Sequence, residues 1–190
     1  MGRRSPVCLA LVHYPVLNRQ GKIIASAVTN LDLHDLGRLA RTYDLPACYV
    51  VTPLEDQQAM AYRLLSHWET EVARELHPRR GEALARLKIV SAVDAACRDV
   101  RDVHGEEPVL WATTARETKG ALSFREARRS LAEEPGPRLL LLGTGWGLAP
   151  PLLERCGAVL QTIEGIEGYN HLSVRCAAAI LVDRLLGRDG

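Results

Sequence analysis

Hydrophobic residues along this chain fall into short blocks rich in β-branched and leucine positions, separated by longer stretches in which apolar residues recur every three or four positions. The blocks are Val7–Val12, Ala47–Val51, Leu87–Val90, Val109–Trp111, Leu139–Leu142 and Ala158–Thr162, with Lys22–Val28 as a further extended piece. Between them, Leu33, Leu36, Leu39 and Ala40 lie on one face of a helix over Asp32–Tyr43. Thr52-Pro53-Leu54-Glu55 reads as a capping box with proline at the first helical position, and Ser91 and Ser123 read as further helix starts. Pro150-Pro151 suits a short helix. Strands alternating with helices in this way predict an α/β fold with a parallel sheet covered on both faces. The segment Glu71–Arg86, broken by Pro78 and Gly81, reads as a mobile insertion. The last helix, Leu172–Leu186, is apolar around most of its circumference and carries Cys176, Ala177, Ala178 and Ala179 in succession. Such a helix has to be covered on more than one side, which predicts either a homodimer built on it or a central core helix in a monomer.

Composition narrows the picture. A chain of 190 residues that is 47% apolar builds one core, so residues 1–190 read as a single domain. Lys plus Arg number 24 against 23 Asp plus Glu, a net charge of +1, so any affinity for nucleic acid has to come from a local patch. The five scattered cysteines contain no Cys-x-x-Cys pair and read as free thiols of a cytoplasmic protein, with no metal site. The stretch after Arg3 and Arg4 lacks a cleavage signal, and the C-terminal apolar stretch is interrupted by Arg175, Asp183 and Arg184, so neither a secretion signal nor a membrane span is expected.

Candidate chemistry concentrates at strand ends. Leu139–Leu142 runs into Gly143-Thr144-Gly145-Trp146-Gly147-Leu148, and Ala158–Thr162 runs into Ile163-Glu164-Gly165-Ile166-Glu167-Gly168-Tyr169-Asn170-His171. In an open α/β sheet ligands bind beyond the carboxyl ends of the strands, and glycine there lets main-chain groups approach a flat ligand. The two loops are expected at adjacent strand ends, with Trp111-Ala112-Thr113-Thr114-Ala115-Arg116 adding small hydroxylated residues on the same edge. Three such loops can enclose an adenine and a ribose. Each feature also has an ordinary explanation: a glycine turn without ligand, Asn170 as a helix cap, Thr113 and Thr114 as a strand-to-turn transition. A nicotinamide-binding unit is disfavoured because the first strand leads into His13-Tyr14-Pro15-Val16 without glycines, and a P-loop is excluded because no lysine followed by Ser or Thr closes the Gly143 loop.

Taken together, His13-Tyr14-Pro15-Val16, Val28-Thr29-Asn30-Leu31-Asp32-Leu33-His34-Asp35, Ala40-Arg41-Thr42-Tyr43, Val51-Thr52-Pro53-Leu54, Ser66-His67-Trp68, Gly143-Thr144-Gly145-Trp146-Gly147-Leu148-Ala149-Pro150 and Tyr169-Asn170-His171-Leu172-Ser173-Val174-Arg175 resemble the SPOUT methyltransferases. Within them, the chain is similar to the small bacterial branch of RNA methyltransferases that occurs beside or fused to the tRNA guanine-N1 methyltransferase. The resemblance implies a C-terminal trefoil knot, a rare topology that sequence rules do not propose. It implies S-adenosyl-L-methionine as cofactor, an RNA substrate (tRNA or rRNA) and a homodimer. It places the cofactor against Gly143, Thr144, Gly145, Gly147 and Leu148 on one side and Ile163, Gly165, Asn170, His171, Leu172 and Ser173 on the other, with Thr113 beside them. Asn30 and Arg38 match the asparagine and arginine that reach the target nucleotide from the facing subunit, with Arg41 as the alternative to Arg38.

The chain departs from better-known relatives in its proton acceptor. The first cofactor loop has no glutamate and the stretch from Glu164 to Arg175 has no aspartate, leaving Glu164, Glu167 and His171 as substitutes. That gap sustains a second expectation, an RNA-binding or ribosome-assembly protein that keeps the fold without turnover. Basic residues gather at Arg74, His77, Arg79, Arg80, Arg86 and Lys88 and again at Arg125, Arg128 and Arg129. Interleaved glutamates give both clusters the character of a solvated surface; on RNA they would position phosphates.

Overall fold

A computed structural model describes residues 5–188. Six strands, β1 (Val7–Val12), β4 (Cys48–Val51), β5 (Leu87–Val90), β6 (Val109–Ala112), β7 (Arg138–Gly143) and β8 (Ala158–Val159), form a parallel sheet in the order β5-β4-β1-β7-β6-β8. Two short strands, β2 (Val16–Leu17) and β3 (Ile23–Ile24), make a separate antiparallel hairpin. The helices are α1 (Asn30–Thr42), α2 (Glu55–Glu69), α3 (Glu71–Leu76), α4 (Pro78–Leu84), α5 (Val93–His104), α6 (Phe124–Glu133), α7 (Pro150–Leu153) and α8 (Val174–Leu186).

Alternation along the central strands divides the core in two. Leu9 and Leu11 of β1 point into a cluster with Leu33 and Leu36 of α1, Leu131 of α6, and Leu181 and Leu185 of α8. Cys8, Ala10 and Val12 point the other way, against Val93, Cys97 and Val100 of α5 and Leu152 of α7. All six residues of β1 are buried, as a parallel strand covered on both faces requires.

Several local expectations are corrected. The helix after β4 begins at Glu55 without a side-chain cap. Thr52 turns back instead: its hydroxyl accepts from Leu54 N at 3.3 Å and its carbonyl accepts from Gln58 Nε2 at 2.7 Å. Ser91 is not a cap either, since α5 starts after Ala92, whereas Ser123 and Glu126 do form the reciprocal capping box of α6. The segment read as a mobile insertion is helical. Its α4 packs so closely on α1 that a Cβ on Gly37 would lie 3.1 Å from the carbonyl of Ala83, so glycine permits that approach. Helix α8 is less uniformly buried than its composition implies, with Cys176, Ala179 and Asp183 exposed. None of the described helices is long and apolar enough to cross a membrane.

Candidate cofactor and substrate site

Because every strand of the main sheet runs the same way, the residues following β6, β7 and β8 emerge at one edge. The two glycine-rich loops are not on adjacent strands, however. β6 lies between β7 and β8, pairing Ala112 with Leu141 on one side and with Val159 on the other. Strand β8 is also shorter than the apolar run suggests, continuing only as an isolated bridge between Leu160 and Leu122. The Thr113 loop is therefore the middle wall of the site.

The loop after β7 is tightly determined. Gly145 and Gly147 have φ of +59° and +102°, a region that side chains rarely tolerate. A Cβ on Gly143 would lie 2.8 Å from the main-chain nitrogen of Leu148, so the turn folds back on itself only with glycine there. Chain outside the loop holds it from the far side. Leu17 N donates to the carbonyl of Gly147 and Trp146 N to the carbonyl of Leu17, both at 2.9 Å, and Ala149 N donates to the carbonyl of Pro15 at 3.1 Å. Thus the His13-Tyr14-Pro15-Val16 segment is the outer support of the glycine loop.

Beneath it runs a partly buried polar chain, ending on the buried His13, that sequence reasoning did not find. The Thr144 hydroxyl donates to the carbonyl of Val12 at 3.0 Å, which leaves its oxygen to accept from the Ser26 hydroxyl at 2.5 Å. Ser26 in turn accepts from His13 Nδ1 at 2.9 Å. The direction of donation fixes the His13 tautomer with its proton on Nδ1. Nε2 is buried without a partner, and burial lowers the pKa of the imidazole from 6.5 to about 4, so the ring is neutral at physiological pH. Its only sequence signal is a polar residue closing a fully apolar strand.

The other loops are laced to the first. Asn170 Nδ2 donates to the carbonyl of Ala115 at 2.7 Å, and Arg116 Nη2 reaches the carbonyl of Trp146 at 3.4 Å. Asn170 is therefore a cross-strut between loops; the cap of α8 is Ser173, whose hydroxyl accepts from Cys176 N at 3.3 Å. Gly165 also requires glycine, since a Cβ there would collide with the carbonyl of Tyr169. Thr113 donates both its hydroxyl, at 2.9 Å, and its main-chain N–H, at 3.1 Å, to the carbonyl of Leu141, which pins the start of the middle loop to β7. Ile163 is half-buried, His171 meets Tyr169 edge-on, and Leu172 is 42% exposed.

Asn30 and Arg38 lie on α1, outside these loops. Both are exposed, eight residues and so about 12 Å apart along the helix axis. Thr29 caps α1 by accepting from Asp32 N. Arg175 at the start of α8 reaches Asp32 at 3.3 Å and Asp35 at 2.9 Å, which fixes the Asn30 end of α1 beside the end of the Asn170 loop. Among the described residues no group of three or more His, Cys, Asp or Glu is arranged to hold a metal.

A parallel sheet with glycine loops laced across its carboxyl edge defines an α/β nucleotide-ligand fold, and solved structures identify which one. The fold matches a probable methyltransferase from Bordetella pertussis Tohama I (TM-score 0.62, 18% identity, 95% of this chain and 94% of that one). It also matches the SpoU methyltransferase AviRb from Streptomyces viridochromogenes, crystallised with AdoMet (TM-score 0.59, 12% identity, 98% of this chain and 58% of that one). These show the SPOUT methyltransferase fold. Residues 6–187 match the family model described as SAM-dependent RNA methyltransferase, and the chain belongs to that family. Relatives include a tRNA (guanine-N(1)-)-methyltransferase of Oleidesulfovibrio alaskensis, 48% identical over 178 residues, covering 94% of this chain and 41% of that protein. Another is an uncharacterised protein of Aquifex aeolicus, 34% identical over 183 residues, 96% of this chain and 89% of that protein. The chain thus spans about two fifths of the length of the named tRNA methyltransferases it matches.

Proposed function

We propose that this chain transfers a methyl group from S-adenosylmethionine to RNA, with tRNA as the substrate to test first, and that it does so as a homodimer of single-domain subunits whose C-terminal segment is knotted. The observation that carries the reading is the lacing of the three loops. Asn170 to Ala115 and Arg116 to Trp146 hold two glycine turns around a middle wall, and the Cβ clashes at Gly143 and Gly165 with their own loops support a reading in which compact main chain forms much of the lining. That suits a flat adenosine recognised by amides and carbonyls.

The cofactor, when bound, supplies a methyl group on a sulfonium, open to in-line attack. Gly143, Thr144, Gly145, Gly147 and Leu148 hold one side of it and Ile163, Gly165, Asn170, His171, Leu172 and Ser173 the other, with Thr113 between. Positioning the acceptor atom opposite the methyl is the main task of the protein. Asn30 and Arg38 do this from the facing subunit by orienting the nucleotide. The homodimer is supported by exposed apolar groups on the loops, Trp146 at 53%, Ile166 at 89%, Tyr169 at 70% and Leu172 at 42%, and at the start of α1, Leu31 at 60%, together with the uncovered Cys176 and Ala179 of α8. Patches of this kind mark interaction surfaces. The five cysteines are free, which fits work in a reducing cytoplasm.

The test is calorimetry with S-adenosylmethionine followed by tritium transfer to tRNA and rRNA fractions from a deletion strain. Micromolar binding with transfer to one fraction is expected. Binding with transfer to no RNA would replace the enzyme reading with that of an RNA-binding or ribosome-assembly protein.

A further inference from the structure

Away from the glycine loops, α1, α4 and the turn between α3 and α4 converge on Trp68 near the end of α2. The edges or faces of three histidines meet its indole: His34 of α1 at 5.6 Å, His67 of α2 at 5.3 Å and His77, between α3 and α4, at 6.0 Å between ring centroids. The guanidinium of Arg80 in α4 lies over the ring, 4.8 Å from its centroid. Arg38, one turn after His34, adds a second guanidinium close enough that it and Arg80, after burial, hold the His34 pKa below its ordinary value.

Neighbouring charges sort into used and unused. Asp35 is occupied by Arg175 and Glu82 by Arg41. Arg86 and Lys88, which the sequence groups with this cluster, are bound to Asp44 and Asp99 and belong to the scaffold. In the other basic cluster, Arg129 reaches Glu133 and Arg128 donates to carbonyls at the end of α8. Arg38 and Arg80 have no acidic partner among the described residues. Two guanidinium groups without an acidic partner, set with three imidazoles around one indole, form a site of positive potential, because the nearby Asp35 is already held by Arg175. Beside them a groove of about 510 Å³, lined by Leu65, Trp68, Pro78 and Gly81 among others, opens between α2 and α4. Glu69 and Glu82 stand on its walls, Glu82 held by Arg41 of α1.

We infer that the Trp68 cluster, through Arg80, His77, His67 and His34, is a docking site for the phosphodiester backbone of the RNA substrate. Phosphate oxygens take the place of the missing carboxylates, and the indole keeps the Arg80 fork in plane for bidentate contact. Contacts of this kind set the register of an RNA without reading its sequence. Arg38 lies on the same side of α1, so a backbone held at Arg80 passes the helix that carries the proposed nucleotide-orienting residues. The site deepens the reading of the chain as an RNA methyltransferase and rests on it. A purely structural role is the competing explanation, but an exposed cation–π contact is a small part of the stability of the fold, so removing it leaves the fold standing.

The experiment compares the full chain with Arg80→Gln, Arg80→Lys and the double variant Arg80→Gln/His77→Gln, using bulk tRNA from a deletion strain in the presence of S-adenosylhomocysteine. Fluorescence anisotropy over a series of salt concentrations gives the slope of log affinity against log salt. Arg80→Gln is expected to weaken binding roughly tenfold at low salt and to lower the slope by about 1, the signature of one lost phosphate contact. Arg80→Lys should restore the slope, and calorimetric affinity for S-adenosylhomocysteine should not change in any variant. In turnover, KM for tRNA rises and kcat holds. Wild-type binding and transfer with an unchanged slope in both glutamine variants would overturn the docking site while leaving the enzyme reading intact. A wild-type protein that neither binds nor methylates tRNA or rRNA would overturn both.

Discussion

The side-chain amide of Asn170 donates to the main-chain carbonyl of Ala115 at 2.7 Å, joining chain that follows β8 to chain that follows β6 across 55 residues of sequence. This bond makes the two loops one surface, and Arg116 extends it to the glycine loop through the carbonyl of Trp146. A ligand seated between the loops inherits the rigidity of that lacing.

Asn170→Ala is therefore expected to leave the thermal midpoint nearly unchanged and to weaken S-adenosylmethionine binding by about 1 kcal/mol, five- to tenfold in Kd. Calorimetry checks it. Full affinity in the variant would mean that the strut does not organise the site.

Arg38→Ala should separate the two halves of the function. It is exposed on α1, outside the glycine loops, so cofactor affinity is expected to stay at the wild-type value while methyl transfer is lost. Normal transfer by this variant would remove Arg38 from the role proposed for it.

Gly143→Ala tests the lining directly. Its Cβ would meet the nitrogen of Leu148 at 2.8 Å, and main chain cannot give way cheaply. An overpacking cost of about 1–3 kcal/mol is expected in urea unfolding, accompanied by a loss of S-adenosylmethionine binding larger than that of Asn170→Ala. Gly120→Ala is the control, since its φ of +76° is strained but its surroundings are open; it should destabilise without touching cofactor affinity.

His13 predicts a pH dependence of stability. Burial lowers its pKa from 6.5 to about 4, so as pH falls between these values the unfolded chain takes up a proton that the folded chain refuses. The stability contribution is complete above 6.5, declines through the window and is fully lost below about 4, a change of about 3 kcal/mol. Urea unfolding at a series of pH values should show this component in the wild type and not in His13→Gln. Parallel pH profiles for the two proteins would show that His13 is solvated or already charged.

The folded protein thus contains two structures of different legibility. All six strands of the sheet were visible as apolar runs because a buried parallel strand must be hydrophobic on both faces. The boundaries of β1 and β5 agree to the residue. The Ser123 and Glu126 cap was legible too, because both partners lie within one turn. Local signals failed where tertiary contacts competed for the same groups. Thr52 spends its oxygens on Leu54 and Gln58 and leaves the helix to start later. The segment with Pro78 and Gly81 read as loose because its apolar partners, on α1, lie some 40 residues away.

The amino-acid order alone determined the parallel α/β class, the glycine loops and their place after strands, since each depends on hydrophobicity and backbone freedom within a few residues. Only the tertiary structure decided that β6 separates the two glycine loops, that Asn170 braces Ala115, that His13 supports Thr144 through Ser26, and that Trp68 gathers histidines and Arg80 from three helices and the turn before α4. Those relationships join residues tens of positions apart. Their energies depend on distances that exist only after the sheet has ordered its strands, so periodicity along the chain carries no trace of them.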